Sequence, residues 1–339
     1  MNDGPILAIE TSCDETAAAV VEGRTICANV VASQAELHTP YGGVVPEVAA
    51  RHHLGTVNAV VDEALSRAGR TLQDISHVAV TQRPGLIGAL LIGLSTAKAI
   101  AYAAGKPLIM VDHLHGHICA AWLEPVALDP PFVSLVASGG HTRLDLVRDY
   151  RAPRLLGQTR DDAAGEAVDK GARLLGLGYP GGPALERLAA TGDRAAFAFP
   201  VGLGGKGERD FSYAGVKTAL LYTVRDLGDD TQVRLADLAA SYQEAVMRPL
   251  ADRLIDAAIE HRVPTVSLGG GVAANGRLRE LVQTQADARG LRLAVPDRAL
   301  CTDNAAMIGA AAQFTPAIAW PDYLGHDAIA TAPPGGIAA

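Results

Sequence analysis

ILAIETSCDET, residues 6–16, is an apolar run that stops in a turn of hydroxyls and carboxylates. FVSLVASGGHT, residues 132–142, repeats the arrangement with glycines where the first has acids. An apolar strand delivering a polar turn is how an α/β unit opens, and two of them open two halves of one chain. Around them, HVAVT (77–81), PLIMV (107–111) and PTVSLG (264–269) are further strand candidates, alternating with helical patterns at 54–68, 88–104 and 241–261. The second helix is stopped by Gly105 at its C′ position. The third, with Val246, Leu250, Leu254 and Ala258 four apart, is expected to bend at Pro249. Pro125, Pro130 and Pro131 lie just ahead of the strand at 132 and set a boundary between residues 1–130 and 131–315. Residues 316–339, rich in Pro, Gly and Ala without a lasting period, are expected to form an extended or disordered tail.

Composition narrows the function. Of 339 residues 49% are hydrophobic and 19% charged, which excludes a disordered chain. A net charge of −8 argues against coating by nucleic acid through charge alone, and 4% aromatics argues against an aromatic-platform RNA binder. Cys13, Cys27, Cys119 and Cys301 lie far apart without a CxxC pair, so reduced thiols are expected rather than a disulfide scaffold or zinc knuckle. The N-terminus shows no signal peptide, and the apolar stretch 86–104 carries Ser95, Thr96 and Lys98, which suits a buried helix better than a membrane span. A cytoplasmic location follows as an expectation.

Several segments carry chemistry. In the first turn Thr11, Ser12 and Thr16 supply hydroxyls and Asp14 and Glu15 carboxylates, a set suited to a phosphate or metal-nucleotide, though a plain polar hairpin explains it too. In the second turn Gly139 and Gly140 allow the backbone to approach an anion, or simply permit a tight hairpin. SLGGGVAAN (267–275) is a strand, three glycines and a helix start: a close nucleotide approach or close strand–helix packing. In VDHLHGH (111–117), His113 and His117 share a helical face at i, i+4 and can bind one metal, while His115 points away. Leu114 stands where the HExxH glutamate of a zincin protease belongs. Asp303, in CTDNAAMIG (301–309), is a third ligand or an N-cap. Residues 161–183 read as a helix with Asp162, Glu166 and Asp169 on one face, followed by a YPGGP turn.

These segments, with YGGVVPEVAARHH (41–53), occur in an order that resembles the TsaD family, the bacterial tRNA N6-adenosine threonylcarbamoyltransferases once labelled sialoglycoproteases. The resemblance runs from about residue 6 to 312. It implies an ASKHA fold of two RNase-H-like α/β lobes with the site in their cleft. It implies transfer of threonylcarbamoyl from threonylcarbamoyl-AMP to N6 of adenosine 37 in tRNAs reading ANN codons, with release of AMP. On matching positions His113, His117 and Asp303 would hold one divalent metal, iron(II) or else zinc. Val136, Ala137, Ser138, Gly139, Gly140, Asp169, Gly182 and Asn275 would bind the substrate with its adenine nucleotide. Asp14 and Glu15 match acids of the first turn and would be catalytic. Arg83, where the family usually has glycine, and Ala214, where serine is usual, depart from the pattern.

A metal with open positions would polarise the acyl carbonyl, and positioning would supply most of the rest. A kinase of the same fold would have no use for the metal trio, and a non-catalytic paralogue such as TsaB would lack it. The best basic clusters are Arg143, Arg148, Arg151 and Arg154, then Lys206, Arg209 and Lys217, interrupted by Asp145, Asp149 and Asp210. So modest a patch predicts weak tRNA binding by the isolated chain. The resemblance implies TsaB and the ATPase TsaE as partners, with TsaC supplying the intermediate.

Overall fold

The computed structural model describes residues 2, 4–205 and 207–331 and divides into two compact units. The first begins with three strands in an antiparallel meander, β1 (Ile6–Glu10), β2 (Glu15–Glu22) and β3 (Thr25–Ser33). A short helix α1 (Ala35–His38) and the long α2 (Pro46–Arg67) lead to β4 (His77–Arg83), α3 (Ile87–Ala104), β5 (Leu108–Asp112) and α4 (His113–Cys119). β4 joins β1 in parallel and β5 joins β4, so the sheet order is β3-β2-β1-β4-β5. α2 starts earlier than the periodicity suggested, at Pro46, because proline at the first helical position loses no hydrogen bond. α3 ends at Gly105, whose φ of 64° is left-handed as expected. It is the one helix among the described residues long and apolar enough to cross a membrane, but its Ala89, Leu90, Gly93, Leu94, Ala97 and Ala101 are buried within the unit.

The second unit repeats the plan with β6 (Phe132–Ala137), β7 (Thr142–Val147) and β8 (Arg154–Gln158). Helices α5 (Ala164–Leu174), α6 (Gly181–Ala189), α7 (Ala214–Leu227) and α8 (Leu235–Glu260) follow, then β9 (Thr265–Gly269), α9 (Gly276–Asp287), β10 (Arg292–Ala294) and α10 (Arg298–Cys301). Its sheet order, β10-β9-β6-β7-β8, is the same topology, with β9 parallel to β6 and β10 parallel to β9. The helix expected over 161–183 is two helices broken at 175–180, where Gly176 and Gly178 have left-handed φ. α8 runs through Pro249 as one helix.

The boundary expected at residue 315 needs correction. Residues 302–331 and Arg148–Arg154 belong with the first unit. The reason is α11 (Ala305–Ala312), AAMIGAAA, whose small side chains let it lie against the face of β1 and β2 opposite to α2 and α3. A Cβ on Gly309 would stand 2.7 Å from Val21 Cγ2. Residues 148–154 follow because Tyr150 stacks on Phe314 at 4.8 Å and donates to Leu128 O at 2.8 Å. The tail is extended but fastened as far as residue 331: Ile318 exchanges both backbone hydrogen bonds with Leu108, and Tyr323 is fully buried. Residues 332–339 lie outside the described residues.

Candidate metal centre and active site

The first unit gathers its chemistry at the carboxyl ends of β1, β4 and β5. Asp112 closes β5 and caps α4, accepting from Leu114 N at 2.9 Å and His115 N at 3.3 Å. One helical turn then puts His113 and His117 on one side, their rings 4.7 Å apart and nearly perpendicular. His115 points elsewhere, its Nε2 2.6 Å from Tyr150 O. Between the ligand candidates sits Gly116, where a Cβ would come within 2.9 Å of Ile308 Cδ1; glycine here lets α11 close on α4. α11 is capped by Asn304, whose side chain accepts from Met307 N at 3.0 Å. The capping role therefore falls to Asn304, and Asp303 stands ahead of the helix beside the imidazoles, Oδ1 3.5 Å from His113 Nε2 and 3.2 Å from His117 Nε2. One donor atom from each of the three residues lies within 4.8 Å of the others.

Do these residues fit a metal? His117 is buried, and although its Nε2 is at ion-pair distance from Asp303, neither ring nitrogen has a hydrogen bond of acceptable geometry. Two orphaned nitrogens in a buried ring are costly unless something else takes a lone pair. Burial also lowers the His117 pKa, outweighing the Asp303 contact, so the ring is neutral and ready to ligate. His113 is held differently. Burial would lower its pKa, but the Asp303 and Glu10 carboxylates overcome that and raise it to about 9. A proton is thus retained where two carboxylates ask for a cation. Its Nδ1 lies 3.0 Å from Glu10 Oε2 and 3.1 Å from Ser12 Oγ. Nδ1–H therefore donates to the carboxylate, which turns Nε2 towards Asp303 in the carboxylate–histidine arrangement common behind metal ligands. The donor set, two imidazoles and one carboxylate, suits iron(II) or zinc. The residues fit.

Glu10 was not among the residues read from the sequence. It is fully buried at the end of β1, where Oε1 accepts Ser12 N–H and Oε2 accepts from Thr81 Oγ1 at 2.6 Å. The available signal was an acid terminating an otherwise wholly apolar strand.

The first turn is built into this centre. Thr11 donates to Ala89 O at 2.9 Å, and Leu86 N–H holds Ser12 O at 2.8 Å. Gly85 admits Ser12, since a Cβ there would lie 2.6 Å from Ser12 O. Glu15 accepts from Ser33 Oγ at 2.9 Å. Burial first, then the neighbouring Asp14 carboxylate, push the Glu15 pKa up to about 9, so it carries a proton at neutral pH.

Of the substrate positions assigned to the second unit, Val136 to Gly140 lie at the carboxyl end of β6, Asn275 follows β9, and Asp169 and Gly182 sit on α5 and α6. Val136 and Ala137 are buried in β6, with Val136 in register with Gly269. Ser138 N–H donates to His141 O at 2.7 Å, closing a tight turn whose Gly139 and Gly140 are exposed. Neither glycine is required by the fold: an added Cβ meets nothing within 4 Å, and neither φ is left-handed. Gly270 is different, because its φ is +82° and a Cβ would collide with the Ala137 carbonyl. Its glycine is accounted for by packing. Asp169 Oδ1 accepts from Gly181 N at 2.9 Å, beside Gly182, where an added Cβ would make an ordinary contact with Val168 Cγ1 at 3.9 Å. Asn275 caps α9 through Leu278 N at 3.1 Å, and its amide donates to Gln243 Oε1 at 3.1 Å, so its side chain is engaged in the fold.

Arg83 lies 3.4 Å from Asp112 Oδ2, and Ala214 opens α7, its carbonyl accepting from Thr218. The expected basic clusters are thinner than the sequence suggested. Arg143 is buried and doubly bonded to Asp145, Arg209 is paired with Glu260 and Lys217 with Asp162, while Lys206 lies outside the described residues. Arg148, Arg151 and Arg154 are exposed.

A family model described as TsaD, tRNA N6-adenosine threonylcarbamoyltransferase, matches residues 25–310. The chain belongs to that family. Two TsaD relatives carry the same description: one from Cyanothece sp., 54% identical and covering 91% of this chain and 90% of its own, and one from Clostridium perfringens strain SM101, 50% identical and covering 93% of each. Membership assigns the chain to tRNA threonylcarbamoyladenosine modification as a transferase. Among solved structures, component A of the Acidaminococcus fermentans (R)-2-hydroxyglutaryl-CoA dehydratase superposes with a TM-score of 0.54 over 95% of this chain and 100% of that one. At 16% identity the likeness concerns the fold alone, a two-lobed α/β fold of the ASKHA type.

Proposed function

We propose that this chain transfers the threonylcarbamoyl group of threonylcarbamoyl-AMP to N6 of adenosine 37 in tRNAs reading ANN codons. The amine nitrogen bonds to the carbamoyl carbon, the bond from that carbon to the phosphate oxygen breaks, AMP leaves and the amine loses a proton. The observation that carries the reading is the buried, orphaned His117 ring beside Asp303 and the Glu10-oriented His113. His113, His117 and Asp303 would hold one divalent ion, which when bound supplies Lewis acidity to the acyl carbonyl. Glu10 and Ser12 fix the tautomer and direction of His113. Asp14 and Glu15 would act from the first turn, where Glu15, holding its proton, can donate a hydrogen bond. The 138–141 turn takes the adenine nucleotide, with Gly139 and Gly140 allowing its backbone close approach. Asp169, Gly182 and the backbone at Asn275 complete that half.

With Arg143, Arg209 and Lys217 of the expected basic clusters tied up in ion pairs, the isolated chain is expected to bind tRNA weakly and to need protein partners, for which the family suggests TsaB and TsaE, with TsaC making the intermediate in the cytoplasm. The test incubates the chain with unmodified tRNA and threonylcarbamoyl-AMP, with and without those partners, and analyses the tRNA nucleosides. Threonylcarbamoyladenosine formed only with partners supports the whole reading. Its absence in every mixture overturns it.

A further inference from the structure

The segment YGGVVPEVAARHH, with Gln34 and His38 just before it, is not used by the reaction as described, yet it buries two histidines and a glutamine completely. Their hydrogen bonds can be oriented one by one. Val45 N–H donates to His38 Nδ1 at 3.3 Å, so that nitrogen carries no proton and Nε2–H must donate to Gln34 Oε1, 3.3 Å away. Gln34 Nε2 packs against the His53 ring, 3.3 Å from Nδ1 and 3.4 Å from Nε2. His53 Nε2 lies 2.9 Å from Cys13 O, a carbonyl that can only accept, so His53 is the Nε2–H tautomer and its Nδ1 accepts from Thr16 Oγ1 at 2.7 Å. Burial also lowers the His53 pKa and keeps the ring neutral.

The receiving carbonyl matters. Three consecutive carbonyls of the first turn are held from three directions: Ser12 O by Leu86 N at 2.8 Å, Cys13 O by His53, and Asp14 O by Gln34 N at 2.9 Å. Only the middle one depends on a side chain. That turn presents Ser12 to His113 Nδ1 and carries Asp14 and Glu15. We propose that His53 is a positioning residue of the transfer site, acting through its hydrogen bond to the Cys13 carbonyl to set Ser12 against the His113 imidazole. The Cys13 carbonyl, which accepts from Nε2–H, and the Thr16 hydroxyl, which donates to Nδ1, fix this tautomer between them. The proposal rests on the metal-assisted transfer reading, but its readouts do not require transfer.

The comparison uses two side chains that fill similar space. In His53→Gln the amide Nε2 can stand where the imidazole Nε2 stood and keep the Cys13 bond; in His53→Leu it cannot. The probe is zinc titrated into each metal-free full chain, with kcat and KM for tRNA measured beside it in the presence of partners. The expected result is zinc affinity near wild type for His53→Gln and about 10–100-fold weaker for His53→Leu, with kcat falling in parallel and KM for tRNA little changed. Folded His53→Gln that loses affinity as far as His53→Leu, or His53→Leu that binds like wild type, would overturn the proposal. Should His53→Leu not fold, long-range proton–nitrogen spectra of the wild-type histidines decide: an Nε2–H His53 is required, and an Nδ1–H ring contradicts it. Wild type that binds zinc but transfers nothing would count against the function and leave the His53 comparison readable from zinc alone.

Discussion

The turn after β1 and the turn after β6 occupy the same place in two sheets of the same order, yet they are built in opposite ways. In the first, residues 11–14, the turn itself contains no glycine; its neighbours do, and Gly85 and Gly93 give way to Ser12 and Thr11. Its side chains are largely spent inside the unit, Thr11 on Ala89 and Ser12 on His113. In the second, residues 138–141, the glycines are in the turn, exposed and unforced, and the tight neighbour is Gly165, where a Cβ would lie 2.6 Å from Ser138 O. One topology thus yields a scaffolded turn whose side chains are spent inside the first unit and an open turn whose glycines are exposed. The two sheets share one order, and where the glycines fall distinguishes the two turns.

The largest effect should come from breaking the metal centre that the first turn serves. His117→Ala or Asp303→Ala should reduce bound iron or zinc to background by elemental analysis, whereas His115→Ala, whose ring serves Tyr150 O, should retain it. Equal loss in all three would mean the helical spacing had been misread. A step further out, Glu10→Gln keeps its size but weakens the carboxylate behind His113, and zinc affinity should fall about 10–100-fold without disappearing. An unchanged affinity would remove Glu10 from the centre.

Smaller effects separate the two kinds of glycine. Gly270→Ala should cost about 1–3 kcal/mol in urea unfolding, since it puts a methyl against the Ala137 carbonyl at a left-handed φ. Gly139→Ala should stay within about 0.5 kcal/mol of wild type, because nothing lies within 4 Å of its Cβ and its φ is ordinary. If the two variants unfolded alike, the distinction between a glycine needed by packing and one left open would fail.

Much of this was legible from residue order, and the gaps have physical causes. Strand–turn punctuation exposed both turns, and the i, i+4 period exposed the histidine pair, because local periodicity survives folding unchanged. Asp303 was ambiguous, since a cap and a ligand look alike in sequence; the pairing of Met307 N with Asn304 shows only that Asp303 is not the cap. The return of α11 to the first unit was invisible, and Glu10 showed only as an acid ending an apolar strand, because the roles of both depend on contacts between residues far apart in the chain. The run of arginines at 143–154 read as a surface patch, but a side chain at 143 alternates inward along β7 and pairs with Asp145 on the same face.

The division of labour between the turns is tested most directly by titrating AMP calorimetrically into Gly140→Val beside wild type. Gly140 can take a side chain without disturbing the fold, so the variant should keep its melting temperature and bound metal. The account predicts that it gives no binding heat at AMP concentrations that saturate wild type. Wild-type affinity in Gly140→Val would contradict it.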